Sequence, residues 1–228
     1  MKALIWDVDG TLAETEDQGH RVAFNLAFEE AGLPWHWDSA LYGELLAVTG
    51  GKERLAAWWQ RADPAGVPMA GPAIARLHAR KTEFYVELVH RGAIGLRPGV
   101  REWLDAARDR GLRQAIATTT TLDNVTSLLD ITLGRTGRLR FDVIGAGDVV
   151  PRKKPAPDIY RWVLDRMGLA PHECLAIEDS VPGVQAAQAA GVPVLLVRSR
   201  YTGDAPIPGV VADLPSLEGF TLDRVLAV

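Results

Sequence analysis

The stretch WDVDGTL sets two carboxylates, Asp7 and Asp9, one residue apart at the end of an apolar run, then closes with Gly10 and Thr11. Carboxylates brought close raise one another's pKa unless a cation lies between them or one keeps its proton. A second apolar run, CLAIED, ends in Glu178 and Asp179. If both runs are strands finishing on one edge of a sheet, three or four carboxylates converge on a single mouth. Such a cluster repels itself without a hard cation, and its all-oxygen ligation suits Mg²⁺ better than zinc. Gly10 gives the backbone freedom to turn away beneath the site. Taken alone, DVDG would serve equally as a strand-end turn. It is not a calcium loop, because Gly10 and Thr11 follow Asp9 where that loop needs a further acidic ligand and a glutamate at its twelfth position.

A second stretch, TGGKER, looks like a phosphate loop. A Walker sequence, however, needs four residues between its glycines and Ser or Thr after the lysine, and here Glu53 follows Lys52. It is therefore no nucleotide site. Gly50 and Gly51 still leave backbone N–H groups free ahead of a helix, with Lys52 and Arg54 nearby, a cradle for a phosphate group. His36, His78, His90 and His172 show no metal-ligand spacing and are assigned to solvent or structure. The single cysteine, Cys174, enters an apolar run and reads as a buried, inert thiol.

The elements that must position these residues follow from short apolar runs alternating with helical periodicity. Strands are expected at ALIWDV, RQAIAT, FDVIGAG, CLAIED and VPVLLV, each nearly continuous in apolar residues as in a sheet covered on both faces. Between them, Val100, Trp103, Leu104 and Ala107 share a helical face before Gly111, as do Ile159, Val163 and Met167 before Gly168. The rhythm predicts an α/β fold, a doubly wound Rossmann-like parallel sheet. From about Glu16 to Gly92 only helical patterns and loops are legible: Phe24, Ala27 and Phe28; Leu41, Leu45 and Leu46; Leu55, Trp58 and Trp59; Ile74, Leu77, Phe84 and Leu88. DPAGVPMAGP reads as a loop. The expected organisation is a core of residues 1–14 and 93–228 with an inserted helical cap of residues 15–92. Inserted directly after the first strand, the cap would stand over the strand end where open α/β sheets bind ligands.

The 228 residues suit one large domain or a domain with an insertion. A net charge of −4 carries no clustered basic excess, which excludes a general nucleic-acid surface. The lone cysteine fits a reducing compartment. The chain reaches Asp7 too soon for a signal peptide and holds no apolar stretch of the ~20 residues that span a membrane. A cytoplasmic monomer is expected.

WDVDGTL, IATTTT, KKPAPD and IEDSVPG, in that order over nearly the whole chain, resemble the haloacid dehalogenase superfamily of phosphatases. The resemblance implies that Asp7 is a nucleophile forming an aspartyl-phosphate, that Asp9 is the general acid and base, and that Thr118 and Lys154 hold the transferring phosphoryl group. It implies a Mg²⁺ site made by Asp7, the carbonyl of Asp9 and Asp179, with Glu178 a direct or an outer ligand. Superfamily members that dehalogenate lack the second carboxylate, so Asp9 points to phosphoryl transfer. Crowding by Asp7 is expected to raise the proton affinity of Asp9, as an acid requires. Lys153, not followed by proline, is expected to be a solvated neighbour of Lys154.

Within the superfamily, ETEDQGHRVAFN, WHWD, TGGKERL, RKTEFY and ATTTT resemble the CbbY family, similar in architecture to β-phosphoglucomutase. EDQGH carries one residue more before His20 than that family's pattern, and Trp6 stands where phenylalanine is usual. The resemblance implies a small sugar phosphate as substrate, in particular hydrolysis of the C1 phosphate of xylulose-1,5-bisphosphate. The substrate contacts expected are Glu16, His20, Gly50, Gly51, Lys52, Arg54, Lys81 and Thr119. A phosphomutase, a broad sugar-monophosphate phosphatase and a non-catalytic sugar-phosphate sensor remain alternatives on the same residues. Trp35, Trp37, Trp58 and Trp59 are expected in the core of the cap.

Overall fold

The computed structural model describes residues 1–64 and 69–226. Its centre is a six-stranded sheet in the order β3-β2-β1-β4-β5-β6. The strands are β1 (Ala3–Trp6), β2 (Arg113–Ala117), β3 (Val143–Gly145), β4 (Cys174–Glu178), β5 (Val194–Val197) and β6 (Ala212–Leu214), and every neighbouring pair is parallel. The chain winds from β1 to β3 on one side and returns to lay β4 against the other side of β1. The order therefore reverses between β1 and β4, the place where doubly wound sheets open a crevice at their carboxyl ends. The register Trp6↔Ile177 brings Asp7 and Glu178, the next residue of each strand, to that crevice side by side.

Alternation along β1 sends Leu4 and Trp6 to one face and Ala3 and Ile5 to the other. The first face is covered by α5 (Val100–Asp109) and α6 (Leu122–Leu133), the second by α7 (Asp158–Met167) and α8 (Val181–Ala189). Helices on both faces are the reason the strands read as unbroken apolar runs. In α5, Val100, Trp103, Leu104 and Ala107 are all buried, and the chain leaves the helix through Gly111 at φ 69°. β6 is not among the strands expected from the apolar runs. It is a three-residue edge strand between proline-bearing loops, too short to carry a period.

Between β1 and α5 the described residues hold no strand. A π-helical turn, Glu16–Arg21, leads into α1 (Val22–Glu30), followed by α2 (Ser39–Leu45), α3 (Gly51–Ala62) and α4 (Gly71–His90). A π turn holds one residue more than an α turn at the same place in the helix. EDQGH lies within this turn, and His20 emerges from it buried. Phe24, Phe28, Trp37, Tyr42, Leu55 and Leu77 pack into an apolar cluster of these helices' own, with Trp35 and Trp58 partly buried against it.

Two details depart from expectation. α4 buries Leu77 as expected but otherwise His78, Lys81, Tyr85 and Val89, while Ile74, Phe84 and Leu88 are only partly buried against the apolar clusters. This helix lies between α1 and α3 on one side and α6 on the other, so a second face is covered, and that face includes polar residues. Of the expected loop at 63–72, Gly71 and Pro72 already belong to α4, and residues 65–68 lie outside the described residues.

Trp6 brings a polar atom into the core along with its bulk. Its Nε1 donates to Oε1 of buried Gln114 at 3.2 Å, and Gln114 Nε2 donates in turn to the Leu104 carbonyl at 3.1 Å. Gln114→Leu should therefore leave the indole N–H unpaired and cost about 1–3 kcal/mol in urea unfolding. Trp6→Phe in that background should recover part of the loss, whereas strictly additive effects would show that the pair does not interact.

Candidate active site

At the end of β1, Asp7 Oδ1 accepts a hydrogen bond from Lys154 Nζ at 2.6 Å. The same ammonium donates to Glu178 Oε1 at 2.6 Å, and the Tyr160 hydroxyl donates to that oxygen as well. Beyond β4, Asp179 Oδ2 accepts from Ser199 Oγ at 2.6 Å. One oxygen from each of Asp7, Glu178 and Asp179 lies within 4.8 Å of the other two, and all three residues are buried. Two glycines make the cluster possible. A Cβ at Gly10, which also has φ 81°, would fall 2.1 Å from Asp179 Oδ2, and one at Gly183 would fall 1.9 Å from Glu178 Oε2.

The residues fit a hard divalent cation. Three buried carboxylates face a single ammonium, and Glu178 Oε2 is buried with no hydrogen-bond partner among the described residues. Without a cation, protons take its place. Burial pushes the Asp7 carboxyl up to about 8, with Glu178 and Asp9 adding to the effect and Lys154 opposing it. Asp179 is driven well above the carboxylate range, by burial first and then by Asp7. Burial works against the charge of Lys154, but Asp7 and Glu178 outweigh it and raise its pKa.

Asp9 behaves differently. Its Oδ1 turns to Thr15 Oγ1, 2.6 Å away, and to His20 Nε2, 2.8 Å away. His20 Nδ1 faces Lys81 Nζ at 2.7 Å. An ammonium can only donate, so this network assigns the hydrogen to Nε2, where it is donated to Asp9. Burial raises the pKa of Asp9, yet His20, Thr15 and Lys81 together bring it down to about 2. The expectation that crowding by Asp7 raises its proton affinity is thus overturned, since the partners supplied by the π turn and α4 outweigh that repulsion.

A cavity of about 190 Å³ opens above these groups, lined among others by Asp7, Asp9, Thr118, Thr119, Lys154 and Asp179. A side chamber of about 40 Å³ runs between α3 and α4 past Gly50, Gly51, His78 and Lys81, and shares Asp9, Glu16, Arg54 and Thr119 with the main cavity. Glu16 Oε2 accepts from the Tyr42 hydroxyl at 2.5 Å. Arg54 is buried, held by the carbonyls of Leu45 and Val48 and by the Tyr42 hydroxyl. Lys52 is not brought in. It is 41% exposed, lines neither space, and its Nζ donates to Asp148 Oδ2 at 2.5 Å. Lys153 is not solvated as expected, because its Nζ donates to the Gly147 carbonyl and to Asp148 Oδ1, both at 2.7 Å.

Sequence reasoning missed several groups at the site. Thr15, Tyr160 and Ser199, which bond Asp9, Glu178 and Asp179, have no motif spacing to mark them. His78 did carry a signal, since it shares the 3-4-4 spacing of Lys81, Tyr85 and Val89 on α4.

Residues 1–191 match the family model of the haloacid dehalogenase-like hydrolases. The chain belongs to that family. Protein CbbY of Rhodobacter capsulatus is 50% identical over 202 residues, 89% of this chain and 87% of that protein. The crystal structure of CbbY from Rhodobacter sphaeroides in complex with phosphate superposes with a TM-score of 0.91 at 42% identity, covering 100% of both chains. A mutant of the same protein, in complex with xylulose-1,5-bisphosphate, gives a TM-score of 0.90 at 42% identity over 99% of each chain. This haloacid dehalogenase-like hydrolase is a phosphatase related to CbbY. No helix among its described residues is long and apolar enough to cross a membrane.

Lys81 offers a direct check on the buried line of polar groups. Burial lowers its pKa to about 7, with Arg54 adding to the drop while Asp9 and Glu16 resist it. Between that value and the ordinary lysine range, the unfolded chain holds a proton that the folded one has released, so this group's contribution to stability rises with pH. Wild type should therefore gain on Lys81→Met as the pH is raised from about 6 to about 9.5 in urea unfolding. Parallel profiles would place Lys81 at its ordinary pKa.

Proposed function

We propose that this phosphatase hydrolyses the C1 phosphate of xylulose-1,5-bisphosphate with Mg²⁺ at the Asp7, Glu178 and Asp179 cluster. The observation that carries the reading is the pairing of two anion-suited spaces. One holds Asp7 and Lys154, the other Arg54, Lys81 and the first turn of α3, so a substrate with a phosphate at each end is called for. The bisphosphate bound to the CbbY mutant agrees with it. Mg²⁺, held by Asp7, Glu178 or Asp179 and the Asp9 carbonyl, would supply the charge neutralisation that lets an anionic nucleophile meet an anionic phosphoryl group.

In this reading an Asp7 oxygen attacks phosphorus, the sugar oxygen departs with a proton, and water then attacks phosphorus and releases phosphate and the free carboxylate. Lys154 and Thr118 hold the equatorial oxygens as charge shifts between them. Asp9, ionised at rest, suits the second step, where it takes the proton of the attacking water. For the first step it is charged along the line of hydrogen bonds, with Lys81 passing a proton to His20 Nδ1 as His20 Nε2 yields one to Asp9. The depressed pKa of Lys81 makes that donation accessible near neutral pH. Helices α1 to α4 form the cap that closes over the cavity, and the chain works as a monomer in the cytoplasm.

Phosphate release from a panel of sugar bisphosphates and monophosphates, with and without Mg²⁺, tests the reading. Xylulose-1,5-bisphosphate should be preferred and Mg²⁺ required, and Asp7→Asn should fold as wild type yet lose on the order of 10⁴-fold or more in turnover. A best substrate with one phosphate would overturn the bisphosphate assignment. A phosphorylated isomer formed in place of free phosphate would make the protein a mutase.

A further inference from the structure

We infer that Tyr201 is a positioning residue that holds His20 on Asp9 by fixing the turn that carries it; the inference rests on the proton path from Lys81 through His20 to Asp9 described above. Tyr201 stands in the loop that follows β5. That loop is fastened beside the carboxylate cluster, where Ser199 Oγ donates to Asp179 Oδ2 at 2.6 Å and Thr202 Oγ1 donates to the Asp179 carbonyl. Arg97 bonds the carbonyls of Val197 and Arg198, which fixes the backbone leading in. From this anchored loop Tyr201 reaches across to the inserted helices. Among the described residues it is the one member of their apolar cluster that comes from outside residues 22–90.

The surface that receives it is shaped for a tyrosine. The ring meets Tyr42 edge-on, with centroids 6.1 Å apart. It lies over Gly43 in the interior of α2, where an added Cβ would fall 3.1 Å from Cδ1 and Cε1. Glycine inside a helix normally costs stability relative to alanine, and here its bare surface seats the ring. The Tyr201 hydroxyl donates to Asp17 Oδ1 at 2.8 Å, in the turn Glu16–Arg21. Asp17 is buried, and the same oxygen accepts from Ser39 Oγ at 2.5 Å and from Arg21 Nε at 2.8 Å. Of these three donors only Tyr201 comes from the sheet side, joined by the half-exposed Arg200, 3.5 Å from the other oxygen. His20 lies three residues beyond Asp17 and meets Asp9 at 2.8 Å. Its other side-chain contacts, Lys81 and the stacked ring of Tyr85, belong to α4, so they fix the imidazole within the inserted helices and not against the sheet. Tyr201 supplies that second constraint, and a small displacement of the turn would lengthen the bond through which Asp9 is charged.

The test compares kcat and KM for the sugar phosphate that wild type hydrolyses best and for p-nitrophenyl phosphate in wild type, Tyr201→Phe, His20→Asn and the double variant. Phenylalanine keeps the packing on Tyr42 and Gly43 and removes the donor to Asp17. Tyr201→Phe should lower kcat for the sugar phosphate about 10-fold, with KM changed less than about threefold. The small ester should be affected less, because p-nitrophenolate leaves without needing a proton. In the His20→Asn background the same substitution should lower kcat by less than about twofold. Gly43→Ala, which favours α2 yet crowds the ring, should repeat the selective loss with no fall in the urea midpoint. Unchanged kcat in Tyr201→Phe, equal losses on both substrates, or full additivity in the double variant would overturn the role of Tyr201 and, where His20→Asn keeps its selective loss, leave the proton path standing. No selective loss in His20→Asn would overturn both.

Discussion

One buried ammonium sits between two carboxylates at the point where the sheet reverses its winding. Lys154 bonds Asp7 and Glu178 at 2.6 Å each, and Asp179 lies against the same group with no cation of its own. Much of the surrounding architecture makes this charge density tolerable. The register of β1 on β4 brings the carboxylates together, Gly10 and Gly183 leave them space, and Tyr160 and Ser199 hold their outer oxygens. What remains uncompensated, above all Glu178 Oε2, is what a divalent cation would satisfy.

The helices between β1 and α5 bring the opposite chemistry. They contribute His20, Arg54, His78 and Lys81, all buried, toward an edge where the sheet supplies aspartates. The meeting of the two sets explains why Asp7 and Asp9, one residue apart, are pulled in opposite directions. Asp7 is buried among carboxylates, while Asp9 is claimed by His20 and Thr15. Two aspartates of identical chemistry are thereby divided into different roles, Asp9 by Thr15 and His20, six and 11 residues on, and Asp7 by groups as distant as Lys154, 147 residues on.

The sheet and the carboxylate mouth were legible because both depend on local signals: apolar runs, terminating aspartates and closing glycines. Asp7, Asp9, Glu178 and Asp179 each end or follow a strand that its own residues announce. The state of Asp9 was not legible, because it depends on a π turn and on Lys81, 72 residues on, meeting in space. Lys52 misled for the opposite reason. TGGKER does open a helix beside the chamber, but a helix directs successive residues about 100° apart, so Arg54 turns inward and Lys52 outward to Asp148.

The central claim, that Asp7 is held by Lys154 as a covalent nucleophile, is tested most directly by stopping the reaction in acid within one turnover and locating the phosphoryl group by peptide mass analysis. The account predicts an acyl phosphate on the peptide that carries Asp7, absent from Asp7→Asn. A phosphoryl group on His20 or on any other side chain, formed and lost at the rate of turnover, would contradict it.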